Sequence, residues 1–277
     1  MSDAVPFSVL LPVYAGDEAA HFERAFRSAV QEQTRRPAQV VVVQDGPVPG
    51  ALADAIAVAV AGSPVPVVHE VVPENRGLAH ALTVGLALCA HDVVARMDAD
   101  DISLPERFER QLPLIEAGVE LVGSGLYEFT GDGDITAVRT PPVGHDEISA
   151  FARFHDPFNH PTVVYRRAAV LSAGGYRPLE LMEDYWLFAR MIRDGARVDN
   201  VAEPLVMYRT DSGSYSRRGG WRLFRSELAL QRHLYREGFI GTGRFLRNVL
   251  VRGGYRFVPV GVRKFLYQRV FATKTSS

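Results

Sequence analysis

Four short runs rich in β-branched residues, FSVLLPVY (7–14), QVVVVQD (39–45), VPVVHEVV (65–72) and DVVARMD (92–98), recur at near-even spacing with helix-like segments between them. Runs apolar at consecutive positions suit strands covered on both faces, and strand–helix alternation builds a parallel sheet. Between the first two runs, Phe22, Ala25, Phe26, Ala29 and Val30 fall on one face of a helix, which reads as core. After MDADD the pattern changes. LPERFERQLPLIEAG predicts a helix interrupted near Pro113, and VELVGSGLYEFTGDGDITAVRT predicts a hairpin turning at Gly131 to Asp134. HPTVVYRR and RVDNVAEPLVMYR read as strands, AAVLSAGGY and EDYWLFARMIRDG as helices, so mixed pairing is expected in the second half.

At 47% hydrophobic and 23% charged residues, the chain is not disordered, collagenous or a coiled coil. Its single cysteine, Cys89, excludes an intrachain disulfide and a cysteine metal cluster and fits a reducing compartment. The first twenty residues have neither a basic leader nor an apolar stretch long enough for a signal peptide or membrane span, so a cytoplasmic location is expected. The net charge of −1 hides a division. From Arg217 onward there are 14 Arg or Lys against 2 acids, whereas the preceding residues hold 17 basic and 30 acidic groups. Two surfaces with different partners follow.

In an open parallel sheet, ligands bind beyond the carboxyl ends of the strands. Those ends carry Pro12, Val13 and Tyr14; Asp45 and Gly46; Glu74, Asn75, Arg76 and Gly77; and Asp98, Ala99, Asp100 and Asp101. Three carboxylates packed at one strand end repel unless a hard cation or hydrogen-bond donors compensate, and oxygen-only ligands favour Mg2+ or Mn2+ over zinc. Asp101 also suits a cap on the following helix. Asp45 suits either a turn cap or an acceptor for a nucleobase N–H.

SVLLPVY, QDG, NRGLAHAL, ARMDADDISLPERFERQ, NHPTVVYRR, GGY and EDYWLFARM occur in the order and spacing of the family 2 glycosyltransferases of GT-A fold. Over Asn75 to Gln111 the chain most resembles their bacterial exopolysaccharide branch, which includes amylovoran-type enzymes. The resemblance covers roughly residues 7 to 216. It implies an α/β, Rossmann-like, mainly parallel sheet with a mixed second half over residues 1–216, followed by a basic amphipathic helical segment over 217–277.

It also implies inverting, metal-dependent hexosyl transfer from a nucleotide-diphosphate sugar, UDP-linked in preference to dTDP-linked. The acceptor would be a saccharide or polyprenyl-diphosphate-linked saccharide of cell-surface polysaccharide synthesis. Carried over by motif, Pro12, Val13, Tyr14 and Asp45 line the base. Arg76 and Asp98 lie near base and ribose, with Asn75, Gly77 and Ala99 in the same donor site. Asp100, with Asp98, holds Mn2+ or Mg2+, and Asp184 is the general base.

Without the resemblance, Glu183 and Asp184 read as ordinary acids at a helix start. His160 and Glu183 are candidate sugar or acceptor contacts, and Trp186 lines either an acceptor pocket or the core. The chain departs from the family in YRTDSGSYS, where Asp211 stands in place of a histidine that ligates metal, and in Gln44, which replaces an acid before the D-G pair.

From Trp221 onward, arginines alternate with Leu, Phe, Tyr and Trp. That pattern fits the anionic inner face of a cell membrane, a helical cap on the catalytic domain, or, less well, nucleic acid; a membrane surface and no nucleic acid is the expectation. Two other functions are compatible with a D-x-D after an apolar strand: a phosphohydrolase of the haloacid dehalogenase type, and a catalytically inactive relative that still binds nucleotide-sugar.

Overall fold

The structure, a computed structural model, describes residues 5–131, 133–210 and 221–254. In chain order it runs β1 (Phe7–Tyr14), α1 (Ala19–Val30), β2 (Gln39–Asp45), α2 (Gly50–Ala61), β3 (Val67–Val72), α3 (Leu78–Leu88), β4 (Val93–Arg96), β5 (Ile102–Ser103) and α4 (Arg107–Glu116). There follow β6 (Leu121–Thr130), β7 (Asp134–Arg139), α5 (His145–Phe151), a 3-10 turn (His160–Thr162), β8 (Val164–Arg166), α6 (Arg167–Ser172), α7 (Glu183–Arg193) and β9 (Val198–Arg209). Last come α8 (Trp221–Arg236), α9 (Thr242–Asn248) and a π-helical turn (Val249–Gly253).

Among the described residues one sheet has the order β3-β2-β1-β4-β8-β6-β9-β5, with β7 paired to β6. β3, β2, β1 and β4 are mutually parallel; β8 then pairs antiparallel with both β4 and β6, while β6 and β9 run parallel. The expected change from parallel to mixed pairing therefore falls at β4–β8. The chain leaves β1 outward to β2 and β3 and returns to β4 on the other side. The crevice between the carboxyl ends of β1 and β4 is thus a topological switch point, where open α/β sheets take ligands.

Alternation along β1 sends Phe7, Val9, Leu11 and Val13 into a core with α1, α2 and α4, and Leu10 into a second core with α3, α6 and α7. All five apolar positions expected on the face of α1 are buried there. Two expectations need correction. The fourth strand ends at Arg96, which frees Met97 and Asp98 to turn away from the ladder, and Pro113 does not interrupt its helix. α4 continues through it because Phe108, Leu112 and Ile115 hold the helix against the core, and Ala117 N–H still reaches the Pro113 carbonyl at 2.9 Å.

The beginning of the basic segment packs on the sheet domain. Leu223, Leu230 and Leu234 of α8, with Phe239 and Ile240, share a core with Met182, Tyr185, Trp186 and Ala189 in and just before α7. Arg252 in the π-helical turn forms an ion pair with Glu227 at 2.7 Å and donates to the Phe154 carbonyl at 2.6 Å. Its guanidinium also lies over the Tyr185 ring.

Candidate active site

The two parallel strands β1 and β2 supply one wall. Pro12 and Val13 are buried, whereas Tyr14 is exposed at the strand end. The Tyr14 N–H donates to the Asp17 carboxylate at 2.9 Å. Burial, with lesser contributions from Asp100 and Asp98, pushes Asp17 up to about 7. Asp45 is buried at the end of β2, where its two oxygens accept the backbone N–H groups of Arg76 (2.9 Å) and Gly77 (2.8 Å). Asn75 adds a side-chain bond to the Asp45 carbonyl at 3.2 Å. The loop closes this tightly because Gly46, at φ +87°, has no side chain: a Cβ there would lie 2.6 Å from the Asn75 nitrogen. Asp45 thus caps no turn of its own; it holds a loop 31 and 32 residues further on and brings Asn75, Arg76 and Gly77 to the same strand end.

β4 supplies the charged centre. Arg96 is 2% exposed, and its guanidinium grips Asp98 by both oxygens, Nη1 at 2.7 Å from Oδ2 and Nη2 on Oδ1. Ala99 is buried behind the turn. Asp101 does not cap a helix. Two-residue β5 intervenes before α4, and the fully buried Asp101 instead accepts the Arg209 N–H at 2.8 Å, tying the turn to the end of β9. Arg209 Nε also donates to the Asp100 carbonyl at 3.0 Å.

One oxygen from each of Asp98, Asp100 and Asp101 falls within 4.8 Å of the others. Burial, then the Asp98 charge, raises Asp100 to about 6, and Asp101 is held well above the ordinary carboxylate range by burial and both neighbours. Its Oδ2 is buried without a hydrogen-bond partner. Crowded, desolvated oxygens of this kind fit a hard divalent cation, for which Asp98 and Asp100 are the accessible donors. Asp211, the remaining expected ligand, lies outside the described residues.

α7 supplies the opposite wall, opening on Glu183 and Asp184 as expected. Burial raises Asp184, while Arg96 lowers it and Asp98 raises it. Glu183 is pushed up to about 7 by burial and by Asp184. His160 is buried with both ring nitrogens directed at protein groups: Nε2 is 3.0 Å from the Tyr176 hydroxyl, and Nδ1 is 3.5 Å from Asp184. Burial holds it well below its usual range, hence neutral, so His160 lies behind Asp184 as a packed partner. Trp186 belongs to the core. It stacks on His233 of α8 at 4.0 Å and donates from Nε1 to Glu237 at 3.1 Å.

Sequence reasoning missed Arg96, Asp17, Asp156 and Arg209. Asp156 precedes the 3-10 turn, and burial together with Asp184 holds it well above the ordinary carboxylate range. Arg96 did carry a signal, because an arginine inside the apolar run VVARMD can be buried only against an acid. Asp17 and Asp156 lie in loops with no periodic pattern to mark them.

The family model "Glycosyl transferase family 2" matches residues 8–175. The amylovoran biosynthesis glycosyltransferase AmsE of Erwinia amylovora is 39% identical over 95% of this chain and 98% of its own. A UDP-Gal:alpha-D-GlcNAc-diphosphoundecaprenol beta-1,3-galactosyltransferase of Escherichia coli is 32% identical over 98% of both.

Among solved structures, a mannosyltransferase from Pyrobaculum calidifontis in complex with GDP-Man and Mn2+ superposes with TM-score 0.64 at 16% identity, over 98% of this chain and 77% of that one. S. aureus TarS 1–349 in complex with UDP-GlcNAc gives 0.64 at 14%, over 91% and 73%. These likenesses establish the GT-A fold, and the family match sets aside the haloacid dehalogenase reading. With its family pattern spanning most of the sheet and near full-length identity to AmsE, the chain belongs to glycosyl transferase family 2.

Proposed function

We propose that this glycosyltransferase moves a hexosyl group, with inversion, from a UDP-sugar (dTDP-sugar as the alternative donor) to a saccharide carried on a polyprenyl diphosphate, in cell-surface polysaccharide synthesis. The observation that carries the reading is the set of Asp98, Asp100 and Asp101 oxygens within 4.8 Å of one another beside the switch point between β1 and β4, with Asp184 opening α7. The names of the two relatives above support the substrate class.

The loop fixed by Asp45 presents Asn75, Arg76 and Gly77 beside Pro12, Val13 and Tyr14, which suits a nucleotide base and ribose. Asp98 and Asp100 would hold Mn2+ or Mg2+, which supplies charge neutralisation for a departing diphosphate. Asp184 takes the proton from the acceptor hydroxyl as its oxygen attacks the anomeric carbon opposite the leaving group. The anomeric C–O bond breaks, its electron pair leaves with the diphosphate, and no covalent intermediate is required. Burial raises the Asp184 carboxyl, which suits a base, while the Tyr185 N–H at 2.8 Å and Arg96 oppose that shift.

The acceptor chemistry suggests the inner face of the cell membrane. No helix of the described residues is long and apolar enough to cross a bilayer. The C-terminal helices instead expose Trp221, Leu246, Leu250 and Val251 within an arginine-rich segment, a surface suited to anionic lipid. The test is a thermal-shift screen of UDP- and dTDP-sugars with and without Mn2+, followed by transfer to a synthetic polyprenyl-diphosphate sugar. A ligand at a hundred times its Kd stabilises by about 2.7 kcal/mol. Binding of UDP-sugar without any turnover would favour the inactive-relative reading.

A further inference from the structure

The π-helical turn faces two ways. Leu250 and Val251 are exposed on it, whereas the next residue, Arg252, turns inward with its side chain 12% exposed. Its guanidinium meets three parts of the fold at once. Nε and Nη2 grip the two oxygens of the buried Glu227 on α8 at 2.7 and 3.0 Å, Nη1 donates to the Phe154 carbonyl at 2.6 Å and lies 3.1 Å from His155 Nδ1, and the plane sits over the Tyr185 ring of α7. Asn248, fully buried at the end of α9, adds a second hold: its Nδ2 donates to the Arg153 carbonyl at 3.0 Å and to Gln231 at 2.9 Å, and Gln231 donates to Glu227 at 3.0 Å. Three consecutive residues, Arg153, Phe154 and His155, are thus bonded from the C-terminal segment. Apolar side chains of similar volume would fill this seam with less desolvation, so the polar network calls for a reason beyond stability. A planar fork that binds a carboxylate on one edge and a carbonyl on another is what an arginine offers and a lysine does not.

What the network fixes is the connection from α5 to the 3-10 turn, residues 152–159. Both of its ends touch the start of α7: the Tyr185 hydroxyl donates to the Ala152 carbonyl at 2.9 Å, and His160, one residue past the far end, has Nδ1 3.5 Å from Asp184. Midway stands the half-buried Asp156, one oxygen of which accepts the Phe158 N–H at 3.2 Å. The loops assigned above to the nucleotide hang from β1, β2 and β4, whereas this connection hangs from α7 and the C-terminal helices. We propose that Arg252 is a positioning residue for the acceptor: it holds the 152–159 connection against the start of α7, and that connection, with Asp156 at its centre, is the wall that receives the acceptor saccharide beside Asp184. The inference rests on the reading of the chain as a transferase to a lipid-linked saccharide. A carboxylate among turn carbonyls suits sugar hydroxyls, and a saccharide borne by a lipid would reach them past Leu250 and Val251, the neighbours of Arg252 in sequence.

The experiment measures KM for a synthetic polyprenyl-diphosphate sugar and for the UDP-sugar that the wild-type protein turns over, with calorimetric titration of UDP in Mn2+ and thermal melting alongside. Arg252→Met loses both the ion pair and the bonds to the connection; Arg252→Lys keeps a charge beside Glu227 and loses the fork. Acceptor KM should rise by about five- to tenfold in both, with donor KM and UDP affinity within about twofold of wild type. Melting temperature should follow the charge instead, so that Arg252→Lys melts closer to wild type than Arg252→Met. Asp156→Ser keeps a cap for the Phe158 N–H and withdraws the carboxylate, and it should raise acceptor KM in the same way. A purely structural role for Arg252 would shrink the folded fraction, lowering kcat with both KM values unchanged. That pattern overturns the proposal, as does a folded Arg252→Lys with wild-type acceptor KM, or donor and acceptor KM rising together. If Arg252→Met fails to fold, Arg252→Lys and Asp156→Ser decide, and wild-type acceptor KM in either overturns it. A wild-type protein that neither binds UDP nor transfers sugar refutes the functional reading itself.

Discussion

Asp45, at the end of β2, holds the backbone N–H groups of Arg76 and Gly77 on its two oxygens, at 2.9 and 2.8 Å. One side chain thereby fixes the loop that faces the switch-point crevice.

Asp45→Ala should loosen this loop. Two part-buried N–H groups lose their acceptor, at a net cost of about 0.5–1.5 kcal/mol each. Thermal melting should report lower stability, and titration should report weaker UDP binding in Mn2+. A variant that melts normally and binds UDP as tightly as wild type would show that the loop is held by other bonds.

Asp184→Asn is nearly isosteric and cannot accept the acceptor's proton. Transfer should fall by about 100- to 10,000-fold with UDP affinity nearly unchanged. If transfer stays within threefold of wild type, the base lies elsewhere, with Glu183 and Asp156 next in line.

Glu183 titrates near 7 in the fold, against 4.5 as its ordinary value. The folded state thus retains a proton that the unfolded chain has released. This group's contribution to stability is fully present below pH 4.5 and is lost as pH rises through about 7. The melting temperature of metal-free protein should decline across that window, and Glu183→Gln should flatten the decline. Parallel pH curves for the two proteins would rule out Glu183 as the source.

Trp186→Ala removes the ring stacked on His233 and the donor to Glu237. Buried aromatic truncations cost about 3–5 kcal/mol, so a drop in melting temperature on the order of 10 °C is expected. Because Trp186 lies two residues beyond Asp184, transfer should weaken too. Normal stability would mean that α8 contributes little to the fold.

Leu250→Asp places a charge on the exposed side of the π-helical turn. It should reduce co-sedimentation with vesicles containing phosphatidylglycerol and leave UDP binding intact, and high salt should weaken the wild-type interaction. Vesicle binding unchanged by both would point away from this face.

The parallel half of the sheet was legible because its strands are buried on both faces, so that QVVVVQD and SVLLPVY state their environment residue by residue. Asp98, Asp100 and Asp184 were legible as a motif. What joins them was not. The partner of Asp98 is Arg96, two residues back at the end of β4, and the hydrogen bond that removes Asp101 from a capping role comes from Arg209, across 108 residues of sequence. Trp186 admitted two readings because its period within α7 is the same whether it meets core or ligand. Only the arrival of α8 against it decides between them.

The seam between α7 and α8 bears on how relatives of different acceptor preference can be recombined. A graft made near residue 216 would set a foreign α8 against the native Tyr185 and Trp186, immediately beyond Asp184. The exchanged part would then alter the packing of α7 immediately beyond Asp184, the proposed base. Transplanting α7 together with everything that follows it keeps that bearing intact, and it makes the loop before Glu183 the natural crossover point for hybrid enzymes.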